Sequence, residues 1–153
     1  MEYAVGMELD DAYGEMDDLA ARFRGMRIED NINPDGLVEN CYYCTVAYLA
    51  GYPTVRDMVD ELGIMQQRRA GLGEIGELFA EAGVRVRNRV ESVDPADLMR
   101  CCQSGGRFGL AYVRGDGSGH MVVISAGRIY DPQAGGGCDP LREGAVRFYF
   151  FEV

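Results

Sequence analysis

The chain has 153 residues, 47% of them hydrophobic, and a formal net charge of −10. That length allows one domain with a buried core, and we read 1–153 as a single domain. So acidic a surface repels phosphate backbones, which excludes nucleic acid as the expected partner, and no apolar run approaches the ~20 residues of a membrane helix, so membrane insertion is not expected.

The opening Met1-Glu2-Tyr3-Ala4-Val5 lacks the basic-then-apolar pattern of a standard export signal. Export would then need a specialised route or a longer parent chain. Residues 8–24 read as a helix with Met16, Leu19, Ala20 and Phe23 on one stripe. Its acids, Glu8, Asp10, Asp11, Glu15, Asp17 and Asp18, make either a solvated face or a docking surface for a basic partner. Asn31 to Gly36 is rich in turn formers. Asn40 is a good N-cap, so a helix is expected from Cys41 to Ala50, with Gly51 beyond its end. Thr54 caps a second helix, Val55 to Leu62, with Asp57 placed as in a capping box and Gly63 as the stop. A third covers Gly73 to Ala82 and buries Ile75, Leu78 and Phe79.

Val84 to Val90 alternates like a strand with one wet face. Asp94-Pro95 caps and opens a short helix to Cys102. Strands follow at Phe108 to Val113, His120 to Ser125, Arg128 to Tyr130 and Ala145 to Val153, with turns at Gly115-Asp116-Gly117 and Ala126-Gly127. Helices first and antiparallel strands last predict an α+β fold.

The chain has one histidine and five cysteines. An odd number leaves at least one thiol unpaired within the chain. Cys41-x-x-Cys44 suggests a redox pair or half a zinc site, but the remaining ligands, Cys101, Cys102, Cys138 and His120, do not make a usual second half. We expect no metal and no cofactor. Cys101 and Cys102 read as packing on their helix, and Cys138, after three glycines, as a residue of a flexible loop.

Each candidate residue has an ordinary reading. A cysteine after a cap is commonly a buried small hydrophobe, a lone histidine at a strand start is commonly structural, and Asp131-Pro132 alone ends a strand. Together they suggest chemistry. Imidazole is suited to proton transfer near neutral pH, and a helix N-terminus stabilises a thiolate. Cys41 has that position, while Cys44 lies a turn further in. If Ala126-Gly127 is a two-residue turn, Ser125 pairs with Arg128, Val122 with Asp131 and His120 with Gln133. Asp131 then lies diagonally from His120 on the same face, where a carboxylate orients an imidazole. A slip of one residue would put it on the other face.

At these residues the chain resembles the papain-fold toxin domains of bacterial polymorphic toxins, the glutamine deamidase toxins. The likeness rests on Ile32-Asn33-Pro34, on Asn40-Cys41-x-x-Cys44-x-x-Ala47-x-Leu49-Ala50-Gly51, and on Gly119-His120 followed by Tyr130-Asp131-Pro132-Gln133-x-Gly135. Where that family's histidine strand often continues with an aromatic residue or Asn, this one has Val122-Val123-Ile124. The resemblance implies a papain-like arrangement of a nucleophile helix on a C-terminal antiparallel sheet. It makes Cys41 the nucleophile, His120 the base and Asp131 the orienting acid, with Gln133, Asn33 and Asn40 as candidates for substrate or oxyanion contacts.

It also implies a secreted or injected effector that deamidates a glutamine of a target-cell protein through a thioester, and a cognate immunity protein as partner. A protease, a transglutaminase, a CxxC redox protein and a non-catalytic binding module on the same fold are the alternatives.

Overall fold

The computed structural model describes residues 32–35, 40–65 and 71–153. The helix expected over 8–24 lies outside them, as do Asn31 and Gly36 of the first loop. Within 32–35, Pro34 and Asp35 form a turn. This short stretch is tied to the chain around Val55: the Val55 N–H donates to the Ile32 carbonyl at 2.7 Å, and Arg56 pairs with Asp35.

Four helices are described: α1 Cys41–Ala50, α2 Val55–Leu62, α3 Leu72–Glu81 and α4 Pro95–Gln103. Local sequence explains their limits. Gly51 closes α1 at φ 85°, a left-handed conformation that costs glycine little, and its N–H returns to the last turn. The Thr54 hydroxyl accepts the Asp57 N–H, a cap worth about 1 kcal/mol. Asp94 caps α4, with Pro95 at its first position.

Six strands form one antiparallel sheet: β1 Asn88–Ser92, β2 Phe108–Arg114, β3 Gly119–Ser125, β4 Arg128–Asp131, β5 Gly136–Gly137 and β6 Ala145–Glu152, in the order β1-β6-β2-β3-β4-β5. The α+β class is therefore as expected. The Val84 to Val90 strand needs correction: pairing begins later, with Asn88 opposite Glu152. Val84 and Val86 instead pack against the helix-side core, and the Val84 N–H bonds back to Phe79 at the end of α3. Tertiary burial overrode an alternation that looked like strand. The strand that does form is mostly solvated and tied by Arg147–Glu91.

The sheet is covered on both faces. Met121, Val123 and Phe151 face the cluster built by α1, α2 and α3, while Leu110, Val122, Ile124, Phe148 and Phe150 face the cluster that includes Leu98 of α4. This is why Phe148-Tyr149-Phe150-Phe151 reads as a continuous apolar run. Gly109 allows the helices to sit close. A Cβ there would lie 2.8 Å from Met121 Cε and 3.1 Å from Phe79 Cζ. Among the described residues no helix is long and apolar enough to cross a membrane.

Candidate active site

The β3–β4 hairpin puts the first two components together. Its turn has Ala126 at φ 53° and Gly127 at φ 75°, both left-handed, as a two-residue primed turn requires. Ser125–Arg128, Ile124–Ile129 and Val123–Tyr130 then pair, the register expected from the sequence. His120 and Asp131 consequently share a face, and His120 Nε2 lies 2.7 Å from Asp131 Oδ2. Their side chains are only 12% and 13% exposed, so this is a buried pair.

Asp131 is itself fixed. Its Oδ1 accepts the Gln133 N–H at 3.0 Å and the Ala134 N–H at 3.3 Å, and its carbonyl accepts the Gly135 N–H. One carboxylate oxygen thus shapes the turn and the other holds the imidazole. Burial works against the charged carboxylate, but His120 and those N–H donors outweigh it, and the Asp131 carboxyl sits below its usual range.

The third component comes from the start of α1. The Cys41 thiol lies beside the His120 ring, close enough to affect its titration. With Nε2 taken by Asp131, Nδ1 is the nitrogen left for the sulfur. Burial disfavours charge on the ring, yet the hydrogen bonds and charges of Asp131 and Cys41 more than offset it, and His120 is pushed up to about 9. It therefore carries a proton through the neutral range. Cys41 is partly exposed, whereas Cys44 is fully buried, and burial, with the nearby charges of Cys41 and Asp131, pushes its thiol up to about 12. Of the two cysteines on α1, only Cys41 meets both imidazole and solvent.

The three amide candidates are also brought together. Asn33 Nδ2 donates to the Gln133 carbonyl at 3.2 Å, Asn40 Nδ2 to Asn33 Oδ1 at 3.3 Å, and Gln133 Nε2 to Asn40 Oδ1 at 2.9 Å. They close a ring that joins the 32–35 turn, the entry to α1 and the turn after β4. Two expectations are corrected here. Asn40 precedes α1 but its side chain makes no cap hydrogen bond, because its amide, 3% exposed, is drawn into this ring. Gln133 does not pair with His120 across the hairpin, because β4 ends at Asp131 where the carboxylate bends the chain.

Sequence reasoning missed Tyr112 and Glu143. Tyr112 pairs with His120 across β2–β3, and its ring meets the imidazole edge-on, with centroids 5.8 Å apart. The Tyr112 hydroxyl donates to Glu143 Oε1 at 2.7 Å and lies 3.6 Å from Cys138 Sγ, while Arg114 bonds the same carboxylate oxygen. The available signal was the Gly115-Asp116-Gly117 turn, which sets Tyr112 opposite His120; nothing local points to Glu143. Cys138 lies in a loop, as expected, and is partly buried there. It packs against the sheet core, and burial pushes its thiol up to about 12. Cys101 and Cys102 pack against that same cluster, as expected.

No family model matches this chain, and no curated protein does.

Beside Cys41 and His120 opens a cleft of about 580 Å³ between the starts of α1 and α3 and the β2–β3 hairpin. Among the described residues, no three His, Cys, Asp or Glu side chains converge as a metal site. Thiol and imidazole line this cleft, with the Asp131 carboxylate held to the imidazole, a set of groups whose chemistry suits acyl transfer.

Proposed function

We propose that the protein is a papain-like thiol amidohydrolase, a bacterial effector domain that converts a glutamine side chain of a target-cell protein to glutamate. The observation that carries the reading is the set Asp131–His120–Cys41, with Nε2 at 2.7 Å from the acid and the Cys41 thiol beside the same ring. The choice of glutamine, the effector role and a cognate immunity protein covering the cleft rest on the three motifs that resemble the deamidase toxins.

In this mechanism the Cys41 thiolate bonds to the carboxamide carbon, and the charge on oxygen is met by the Cys41 backbone N–H at the start of α1. The His120 imidazolium gives its proton to the nitrogen as the C–N bond breaks, and ammonia leaves. Neutral His120 then takes a proton from water. The water oxygen bonds to the thioester carbon, the C–S bond breaks, and the carboxylate leaves with Cys41 regenerated. Asp131 holds the ring and favours its charged form.

The test is intact-mass and ammonia analysis of candidate host proteins incubated with the wild-type chain and with Cys41→Ala. A Cys41-dependent gain of about one dalton with ammonia release is expected, as amide becomes acid. Cut fragments would make the enzyme a protease, and amine incorporation a transglutaminase. An inert wild type whose Cys41 labels like an ordinary thiol would return the fold to a binding role.

A further inference from the structure

The cleft beside Cys41 differs from the rest of the surface in its chemistry. Charged residues make up 26% of the chain, and the net charge is −10. Among the described residues, the cleft wall contains no Asp, Glu, Lys or Arg. Its sides are Tyr42 of α1, Leu72 and Ile75 of α3, and Ala111, Met121 and Tyr149 of the sheet. Met121 and Ile75 are buried within the helix-side core, so the wall continues that core to the reactive sulfur. Burial, with Tyr43 alongside, holds the Tyr42 phenol in its neutral form, so it adds no charge. The basic side chain among the described wall residues, His120, is already matched by Asp131.

We propose that this cleft binds the residues flanking the target carboxamide and selects uncharged, apolar side chains there. The inference rests on the amidohydrolase reading and specifies its substrate class. A side chain is smaller than 580 Å³, so the space holds the glutamine arm together with neighbouring residues. A flanking leucine would exchange water for Leu72, Ile75 and Tyr149. A flanking aspartate or lysine would lose its hydration, a penalty that the described wall, with no Asp, Glu, Lys or Arg of its own, does little to offset. Selection of this kind uses both attraction of the right flank and rejection of the wrong one.

The test uses the full chain and four tripeptide probes, in which the central glutamine carboxamide is replaced by a chloroketone. The two flanks are leucine, serine, aspartate or lysine. Alkylation of Cys41 is followed by intact mass, with iodoacetamide as a probe that has no flanks. The leucine probe is expected to react at least about tenfold faster than either charged probe, with serine between. Leu72 is the first residue of α3, where an acid is well tolerated at a helix start. Leu72→Asp should raise the lysine probe relative to leucine, and Leu72→Lys should raise the aspartate probe. Equal rates for all four probes, with iodoacetamide labelling still dependent on His120, would overturn the cleft assignment and leave the amidohydrolase reading standing. So would an order of preference indifferent to both Leu72 variants. Iodoacetamide rates equal in wild type and His120→Ala would overturn that reading, and this inference with it.

Discussion

Two thiols in this molecule sit beside an aromatic ring and a carboxylate, and they are not equivalent. Cys41 meets His120, which meets Asp131. Cys138 meets Tyr112, which meets Glu143. The clusters touch, since Tyr112 and His120 pack edge to face. The difference lies in the middle group. An imidazole can carry a positive charge beside a carboxylate, and each stabilises the other's charged form. A phenol cannot; it stays neutral, burial dominates, and Cys138 is pushed up to about 12. Proximity of a thiol to an acid and a ring is therefore not sufficient for reactivity. The ring must be able to hold a proton as a cation.

The largest effect expected from this comparison is on labelling. Near pH 6, Cys41 should be alkylated far faster than Cys138 or Cys44, and His120→Ala should slow Cys41 by about 10³-fold while leaving Cys138 slow. Peptide mapping after timed iodoacetamide pulses reads both. Equal rates at Cys41 and Cys138 would abolish the distinction.

A second, smaller effect concerns pH. His120 must be protonated to release ammonia, so kcat/KM should fall as pH rises through about 9. Asp131→Asn should move that limb to lower pH. The same group links stability to pH with a definite sign. Its folded-state pKa is raised from about 6.5 to about 9, so its stabilisation is complete below 6.5 and lost as pH rises through 9. Urea midpoints of the wild type should decline across that window, and those of Asp131→Asn should decline less.

The smallest expected effect tests the hairpin that aligns His120 with Asp131. Ala126 stands at φ 53°, where a Cβ costs about 1 kcal/mol. Ala126→Gly should stabilise the fold by up to that amount in urea unfolding and leave labelling of Cys41 as it was. A destabilised variant would mean that the turn is held by something other than its own backbone.

How much of this was legible in the chain depends on the distance over which each signal acts. The Gly51 end of α1, the limits of α2 and α4, the β3–β4 register and the shared face of His120 and Asp131 follow from caps, turn residues and alternation, all effects within a dozen residues. They were readable, and they carried the pairing on which the site depends. The misplaced β1 was the exception that a local rule invites, because Val84 and Val86 alternate but pack, partly buried, against the helix-side core.

Contacts between distant segments were decided only by tertiary structure. Nothing near Asn40 indicates that its amide leaves the helix end to join Asn33 and Gln133, the latter 93 residues away. Nor does anything near Tyr112 predict Glu143. The sequence by itself determined which groups could be nucleophile, base and acid, because that is a property of residue type and of local helix and hairpin geometry. The folded molecule decided which cysteine of α1 keeps access to solvent, which amides are tied together, and that the described wall of the cleft beside Cys41 holds no Asp, Glu, Lys or Arg although the chain is strongly acidic. Those outcomes depend on burial and dielectric surroundings, which exist only once segments far apart in the chain have packed.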